Sequence, residues 1–411
     1  MKVFDRRILE LLTFLTRKQA WLSAPEVTKL YRHEGKAVGL TTVYRWFSHL
    51  EEQAGLAYFP SPRMNTLGLA DFHVRIYGLR TPAVLKALPF SHSFQVEIGL
   101  DGQAFVSQDY WIPASGTKDF LAYWDTAKDL GLVEGVDVLP FRNLHLLYSP
   151  LHEVLTEDGS ADFADEVDVA HFEALVCRHL REPYTVDVGK RIAASPLVVP
   201  LILEHLWRHC SSRQVWQAIR AKGEGHILKY ARGGLSKALR KPGTALRLLQ
   251  QQWQDLLAHF DDVFLQPVVY FPPGFLRNCP LISFTVNPGS AERIAELAVR
   301  VGRRSVLAAV MPEAGPGSRC RIWCNPPSGQ LPVLLRLMKE YHRGSGSPVF
   351  GLVDIEATRR LAQPAFCGFD WRAFDPMGLQ WRFDGTEYVE RLKGRPASEA
   401  SGSFAPPLGG A

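Results

Sequence analysis

The sequence lacks most of the features that assign a function at sight. Its six cysteines include no CxxC pair, so the usual zinc and thiol-redox spacings are absent. No apolar run reaches the roughly 18 residues that a membrane-spanning helix needs. The stretch MKVFDRRILELL carries charges inside its apolar pattern and has no signal-peptide core. We therefore expect a cytoplasmic protein without a membrane span, and its 411 residues suggest about two to four domains.

Catalytic sequence motifs are missing as well. There is no Walker loop, no GxGxxG after a strand, no HExxH and no GxSxG. Cys320 and Cys324 would share one face of a strand, and His205 and His209 one face of a helix, so a metal site at either pair is one alternative. Buried thiols and surface histidines are the simpler alternative. We predict that the chain is not an enzyme and that it holds neither a cofactor nor a metal.

Charge is unevenly distributed, although the formal net charge is only +5. Residues 1–50 contain nine Lys/Arg against four Asp/Glu, and residues 206–247 contain ten Lys/Arg against one acid. Residues 153–173 instead contain eight acids and no Lys or Arg. Such segregation favours local contact with a polyanion. A solvated surface is the alternative for the 206–247 segment.

The first 60 residues have the pattern of a winged helix-turn-helix. DRRILELLTFLTR (5–17) and SAPEVTKLYRH (23–33) predict two helices, the second with Ser23 as N-cap and Pro25 in its first turn. GLTTVYRWFSHLEEQAGLAYF then predicts a third helix, a turn at Gly55 and a strand. In the third helix, the apolar stripe that should be buried consists of Leu40, Val43, Phe47 and Leu50.

The opposite face of this third helix suits contact with double-stranded DNA. Threonine and serine can bond phosphates or bases, arginine can bind guanine in a bidentate manner, and tyrosine can contact phosphate or a thymine methyl. The predicted DNA-binding residues are Thr41, Thr42, Tyr44, Arg45, Ser48 and His49. A degenerate winged helix used only for dimerisation or partner contact is the alternative.

Two later segments repeat one order of elements, β-α-β-β-α-β, at about 71–148 and 280–356. The segments before them also match, because LAYFPSPRMNTLGLADFHVRIYG and VVYFPPGFLRNCPLISFTVNPG both place Tyr-Phe-Pro ahead of a strand. The repeat predicts a second helical unit upstream, with helices at 170–182, 187–194 and 195–210.

These patterns predict an α+β protein made of two tandem units, each a winged helix-turn-helix followed by a βαββαβ ferredoxin-like module. The predicted divisions are a winged helix-turn-helix at 1–60, a ferredoxin-like module at 61–148, an acidic linker at 149–168, a second, divergent helix-turn-helix with a basic helical insert at 169–265, a second ferredoxin-like module at 266–392 and a disordered tail at 393–411.

The second helical unit is a poor candidate for reading DNA bases. Leu197, Val198, Leu201 and Ile202 stand where polar contacts would be needed, so we expect this helix to pack against the chain. The neighbouring basic stretch can instead bind phosphates without sequence specificity. Its predicted contacts are Arg208, Arg213, Arg220, Lys222, Lys229, Arg232, Lys237, Arg240 and Lys241.

The order of domains resembles that of the leucine-responsive regulator/AsnC family. DRRILELL is similar to that family's opening helix, and DVGKRIAASP to its second helix and turn. TVYRWFSHLEEQAGL also resembles the recognition helix of the ferric-uptake regulators, but the His cluster and CxxC of that family are absent. The AsnC-like resemblance implies sequence-specific DNA binding, transcriptional regulation and a small effector such as an amino acid. It also implies an intrachain pseudo-dimer, with homodimerisation an open alternative.

Two other functions remain open at this point. One is a DNA-binding architectural, replication or scaffold protein without an effector, which would account for the fusion and the basic insert. The other is a siroheme-decarboxylase-like enzyme, because those enzymes resemble this chain in architecture, with winged-helix and βαββαβ parts.

Overall fold

The computed structural model describes an α+β protein. The described residues are 6–17, 22–52, 57–88, 90–142, 145–148, 151–162, 176–178, 180–182, 184–208, 212–231, 237, 239–270, 276–314, 319–344, 348–361 and 369–394. Within these ranges, no helix combines the length and the apolar character needed to cross a membrane.

The described ranges contain an N-terminal trio of helices, two long central helices and further helices, several of which cover the large sheet. They are α1 (Arg6–Arg17), α2 (Ala24–His33), α3 (Leu40–Glu52), α4 (Ala83–Lys86), α5 (Thr117–Asp129), α6 (Leu151–Val154), α7 (Val198–Arg208), α8 (Ser212–Tyr230), α9 (Pro242–Ala258), α10 (Phe260–Val263), α11 (Ala291–Gly302), α12 (Leu331–Tyr341), α13 (Ile355–Leu361) and α14 (Gly385–Lys393).

The strands build one large sheet and two small ones. They are β1 (Ala57–Pro62), β2 (Leu69–Tyr77), β3 (Ser91–Ile98), β4 (Ala104–Pro113), β5 (Gly135–Phe141), β6 (His145–Tyr148), β7 (Phe264–Tyr270), β8 (Ile282–Val286), β9 (Leu307–Pro312), β10 (Cys320–Cys324), β11 (Val349–Val353), β12 (Phe374–Asp375) and β13 (Gln380–Trp381).

The N-terminal helices pack around a small apolar core. The Glu26 carboxylate accepts hydrogen bonds from the Ser23 backbone N–H (2.7 Å) and hydroxyl (2.6 Å), so α2 begins where the sequence predicts. Val43 and Leu50 of α3 are buried as predicted. Phe47, also predicted, packs partly buried against the same core, as does Trp46. Leu40, however, is 40% exposed. Of the four residues predicted for the buried stripe of α3, Leu40 is therefore the one that lies outside the core.

Each half of the large sheet has the same strand order. In the first half the order is β5-β2-β4-β3, and in the second it is β11-β8-β10-β9. If the four strands of each half are numbered in chain order, both halves place them side by side as fourth, first, third and second. All neighbouring strands within each half are antiparallel. Apolar residues on one face, such as Val74 and Phe284, pack on the helices.

The two halves join at both edges, so that eight strands close into a barrel. At one edge β3 pairs with β11, with Glu97 opposite Val353. At the other edge a bridge links Phe141 to Glu313, and the Arg142 N–H donates to the Pro312 carbonyl at 2.8 Å. The predicted last strand of the first module is divided, because its continuation β6 pairs with β9 of the second half.

The strands that precede the two halves also pair with each other. The register of β1 on β7 is antiparallel and runs from Ala57 opposite Tyr270 to Pro60 opposite Pro267. The first Tyr-Phe-Pro, at 58–60, lies within β1, and the second begins at Tyr270, the last residue of β7. The repeat that is visible in the sequence therefore ends in a direct contact between its two copies.

The second helical unit differs from its prediction. Residues 187–194 were predicted to be a helix, but Val188 forms a β-bridge with Leu67, and only Ile192–Ala194 makes a 3-10 turn. The bridge occupies backbone groups that a helix would need internally. In α7, the apolar positions singled out by the sequence are all buried, as expected: Leu197, Val198, Leu201 and Ile202.

The segments around this unit are only partly described. Of the predicted acidic linker, Val154 and Leu155 are buried in the core of the N-terminal helices. Most of the predicted helix at 170–182 lies outside the described residues. So does the tail predicted at 393–411, apart from Lys393, which ends α14, and Gly394.

Candidate functional site

The inward face of the barrel is polar, which sets it apart from the helix-covered face. Alternation along each strand sends every second side chain inward. On β2 these are Asp71, His73 and Arg75, and on β10 they include Arg321. An eight-stranded barrel is just wide enough for its side chains to fill it, so side chains from opposite strands meet across the interior. This interior is the lumen of the barrel.

Arg321 crosses the lumen and binds three strands of the first half. Its Nη1 lies 3.1 Å from Asp109 Oδ1 and 2.6 Å from His73 Nδ1, and its Nη2 donates to Glu97 Oε1 at 2.9 Å. The Arg321 and Glu97 side chains are both fully buried. Such buried ion pairs are stable only when each charge keeps its partner.

His73 and Asp109 form a pair within this network. Nδ1 of His73 lies 2.7 Å from Oδ1 of Asp109, and the Ser93 hydroxyl contacts the other carboxylate oxygen. With its proton on Nδ1, the imidazole donates to Asp109 and presents Nε2 as a base. With its proton on Nε2, the imidazole accepts from Arg321 instead. Nε2 is buried and has no hydrogen-bond partner among the described residues.

Gly351 makes room for the Glu97 carboxylate. It lies on β11, on the inward face opposite Ser283, and a Cβ at this position would overlap the carboxylate of Glu97. The Ser283 hydroxyl contacts the same carboxylate. The second half therefore contributes a glycine, a serine and an arginine to hold one acid of the first half.

The lumen separates the pKa values of its two aspartates. Burial alone would raise the pKa of Asp109, but the Arg321 charge and the His73 hydrogen bond lower it well below its usual range. Burial and the charge of Asp109 raise the pKa of Asp71 to about 8. At neutral pH, Asp109 is therefore a carboxylate, whereas most of Asp71 carries a proton. Two carboxyl groups with separated pKa values are typical of acid–base sites.

Two histidines of the first half stay neutral at neutral pH. Burial, and then the charge of Arg321, lower the pKa of His73 to about 4. Burial lowers the pKa of His92 to about 4, and its ring stacks on Trp111 with the centroids 3.9 Å apart. The lumen thus offers a neutral imidazole beside a protonated carboxyl, which is an arrangement that can move a proton on a bound molecule.

A cleft opens beside the closure of the barrel. Its volume is about 340 Å³, and Arg75, Asp137, Thr285, Asn287, Arg319 and His342 are among its lining residues. Arg75 lies two residues from His73 on the same face of β2. The cleft therefore adjoins the polar network.

The predicted DNA-binding residues all lie on the outer part of α3. Thr41, Thr42, Tyr44, Arg45 and Ser48 are exposed, and His49 is half-buried. Tyr44 is 53% exposed, which is unusual for a large aromatic residue on a small helical unit. These side chains form one continuous polar face opposite Val43 and Leu50.

The predicted phosphate contacts are only partly described. Six of them are exposed basic side chains: Arg220, Lys222, Lys229, Lys237, Arg240 and Lys241. Lys222 also binds the buried Glu204 carboxylate at 2.6 Å, so it has a structural partner. The Arg208, Arg213 and Arg232 side chains lie outside the described residues.

Cys320 and Cys324 share the helix-covered face of β10 and are buried there. Burial raises the pKa of the Cys324 thiol to about 12, so this side chain is a thiol rather than a metal-binding thiolate. Across the described ranges no group of three or more His, Cys, Asp or Glu side chains is arranged to hold a metal ion. His209 lies outside these ranges.

Sequence reasoning did not identify the lumen residues. A signal was present, because DFHVRIY and FVSQDYW place charged or polar residues at alternate positions: Asp71, His73, Arg75, Ser107 and Asp109. Alternation of this kind normally indicates a sheet with one face in water. The face becomes an interior only because the two halves close on each other.

Comparisons with known proteins find similar structures but no match by sequence. No protein-family model matches the chain, and no curated protein matches it in sequence. The siroheme decarboxylase NirDL matches with a TM-score of 0.43 and 11% identity, over 94% of this chain and 99% of that chain. The same enzyme in complex with an iron-uroporphyrin III analogue gives 0.40 and 10%, over 84% and 91%. An anthrone oxidase-like protein gives 0.29 and 7%, over 69% and 91%.

These neighbours correct one prediction. The sequence led us to predict that the chain is not an enzyme, and that exclusion was wrong, because the structure matched over most of both chains is that of an enzyme. All three TM-scores are below 0.5. The likenesses therefore assign no activity to this chain.

Proposed function

We propose that the chain is an enzyme that transfers protons to and from a small molecule bound in the barrel. The observation that carries this proposal is the His73–Asp109 pair, whose Nε2 atom is buried in the lumen without a described partner. With the proton on Nδ1, His73 donates to Asp109, Arg321 Nη1 donates to Asp109 rather than to His73, and Nε2 takes a proton from the substrate. Asp71, with its pKa raised to about 8, returns a proton from the same face of β2.

The positions of His73 and Asp71 on β2 support separate roles for them as base and acid. Asp71 and His73 are separated by two positions, so their Cα atoms are about 7 Å apart along one face of the strand. A small molecule placed between the two side chains would contact both. Arg321 holds Asp109 ionised and so keeps it as the partner that orients His73. Positioned acid and base groups of this kind typically accelerate proton transfer about 10²- to 10⁴-fold each.

Hydrogen–deuterium exchange tests this proposal without knowledge of the full reaction. The protein is incubated in D₂O with a panel of small 2-oxo acids and dicarboxylates, and loss of their C–H signals is followed by NMR. We expect exchange with at least one probe, reduced at least about a hundredfold in His73→Gln and Asp71→Asn. Asp125→Asn, an exposed carboxyl on α5, is the matched control and should exchange normally. Equal exchange rates in all four proteins would refute the assignment.

DNA binding through α3 is the second candidate function. It is favoured by the exposed face formed by Thr41, Thr42, Tyr44, Arg45 and Ser48, beside the half-buried His49. The two functions are compatible, because α3 and the lumen are separate parts of the molecule. In this candidate Arg45 and Tyr44 contact base edges, and the hydroxyl side chains position the phosphate backbone.

Retention of host genomic fragments across a salt series tests DNA binding. Sequencing of the retained fragments should show a few enriched sites, and Arg45→Ala should weaken binding to them by about 1–3 kcal/mol. Lys118→Ala, an exposed basic side chain on α5, is the control and should bind like the parent protein. Uniform, salt-sensitive retention would favour the architectural or replication role and the basic helices α8 and α9. Identical binding by Arg45→Ala would remove α3 from the interface.

We further propose that the architecture is the tandem of winged-helix and ferredoxin-like units that the AsnC-like resemblance implies. The strand order fourth, first, third, second in both halves supports this proposal. Pairing of β3 with β11 and of β1 with β7 supports an intrachain pseudo-dimer. A size-exclusion measurement with light scattering separates a monomer from a homodimer: a mass near 46.1 kDa is expected for the pseudo-dimer alone.

A further inference from the structure

The cleft beside the barrel closure contains a cation that the protein neutralises only in part. The Arg75 side chain is 4% exposed, and its nearest carboxylate is Asp137, with Nη1 and Oδ2 4.0 Å apart. That distance is too long for a hydrogen bond, so Asp137 acts on Arg75 only through its charge. The Asp137 side chain is itself 52% exposed, which weakens this attraction further.

Arg321 provides an internal comparison for Arg75. Both guanidinium groups are buried in the same barrel, but Arg321 has carboxylate oxygens at 2.9 and 3.1 Å. The described polar contacts of Arg75 are the Thr285 and Tyr77 hydroxyls and the distant Asp137. A buried cation is costly without close anionic partners, and guanidinium favours bidentate contact with carboxylate or phosphate. The contrast singles out Arg75 as a binding group for an external anion.

The surroundings of Arg75 suit a small anion. The cleft of about 340 Å³ falls within the range of small-molecule sites. Arg319 lines it with a 45% exposed side chain that also binds Glu313. Asn287 and His342 also line the cleft, where the Asn287 N–H donates to His342 Nδ1 at 3.4 Å. The lining therefore combines a second cation with polar groups that orient a ligand.

We propose that this cleft binds the carboxylate or phosphate group of a small ligand, with Arg75 as the main anion-binding residue and Arg319 as the second. The Cα atoms of Arg75 and His73 are about 7 Å apart, and both side chains lie on one face of β2. An anion on Arg75 therefore directs the rest of a small molecule towards Nε2 of His73. This second step rests on the proposed proton-transfer function and names its substrate class as a small anion. Anion binding itself is independent of catalysis.

Isothermal titration calorimetry of the full-length protein at low ionic strength tests the site, with inorganic phosphate and succinate as probes. We expect at least one probe to bind. Asp137→Asn removes the competing carboxylate and should strengthen binding severalfold, whereas Arg75→Gln should weaken it at least about tenfold. Arg319→Gln should weaken it less. Lys118→Gln, a remote exposed cation, should leave the affinity unchanged.

The outcomes are distinguishable. Asp137→Asn removes a half-exposed charge, so it remains informative even when Arg75→Gln does not fold. Binding of neither probe by the parent protein would overturn the proposal, as would unchanged or weaker binding by Asp137→Asn. Stronger binding of succinate than of phosphate assigns a carboxylate ligand, and the reverse assigns a phosphate. His73→Gln should bind the probe normally while losing exchange activity. A parent protein that binds the probe but exchanges no substrate proton would refute the proton-transfer function and leave the anion site standing.

Discussion

The two halves of the barrel share a strand order but differ in what they place in the lumen. The first half supplies the candidate acid–base residues Asp71, His73 and Asp109, together with Arg75 and Glu97. The second half supplies Arg321 together with hydroxyl side chains and a glycine that accommodates Glu97. One copy of a duplicated fold thus carries the candidate chemistry, while the other holds it in place. Two identical subunits could not divide these roles, because any change would appear on both sides.

Replacement of Arg321 should cause the largest loss in the free energy of unfolding, because Arg321 joins the two halves across the lumen. In Arg321→Met, Glu97 and Asp109 lose their cation while remaining buried, and such uncompensated charges typically cost about 3–5 kcal/mol. Urea denaturation measures the free energy of unfolding. The matched control is Arg391→Met, because Arg391 forms an exposed pair with Glu387. That change should cost less than about 0.5 kcal/mol. Comparable losses in both variants would contradict the central role of Arg321.

The pH dependence of stability tests the first half in particular. His73 and His92 have folded pKa values of about 4 against 6.5 for the free side chain, so their contribution is complete above pH 6.5 and is lost as the pH falls towards 4. The contribution of Asp71 to the free energy of unfolding depends on pH in the opposite direction. Its folded pKa of about 8 against 3.8 makes its contribution complete below pH 3.8, and that contribution is lost as the pH rises towards 8.

These opposed contributions predict greatest stability near pH 6.5. Below that pH, the stability lost on acidification through the two histidines exceeds the stability gained through Asp71. Above it, Asp71 is the one group of these three that titrates, so stability falls as the pH rises. Urea denaturation from pH 4.5 to 8.5 should therefore give a maximum. His73→Gln should flatten the acid side, and Asp71→Asn should flatten the alkaline side. A profile that neither substitution alters would show that the pKa values of His73 and Asp71 are not shifted in the folded protein.

The sequence predicts the local elements well and the closure poorly. Periodicity correctly indicates the order of strands and helices in both halves, apart from the divided last strand of the first half, and also the start of α2 at Ser23 and the buried apolar face of α7. Closure depends on pairs between distant residues, such as Glu97 with Val353 and Phe141 with Glu313, which no local pattern records. Without closure, the alternating charges of β2 resemble an ordinary solvent-facing sheet. The helix predicted at 187–194 failed for a related reason, because its backbone is recruited by distant Leu67.

Gly351 offers a smaller and more local test of the contact between the halves. In Gly351→Ala the new methyl group overlaps the Glu97 carboxylate, so Glu97 has to move away from Arg321 and Ser283. We expect a loss of about 1–3 kcal/mol in the free energy of unfolding, which is typical of overpacking. Gly329→Ala, where a Cβ would meet no atom within 4 Å, is the control. A neutral Gly351→Ala would show that Glu97 is not held against β11.

The smallest expected effect lies outside the barrel, where the two helical units differ. The first unit has a capped α2, with the Glu26 carboxylate accepting from both the Ser23 N–H and the Ser23 hydroxyl, whereas the corresponding segment of the second unit is only a 3-10 turn. Ser23→Ala should cost about 1 kcal/mol, and Ser23→Asp, although it also caps helices, should recover only part of this, because its carboxylate would face that of Glu26. Complete recovery by aspartate would mean that the Glu26 contact contributes little to the start of α2. In either case the exchange activity attributed to His73 should be unchanged, because the helical unit and the lumen are separate.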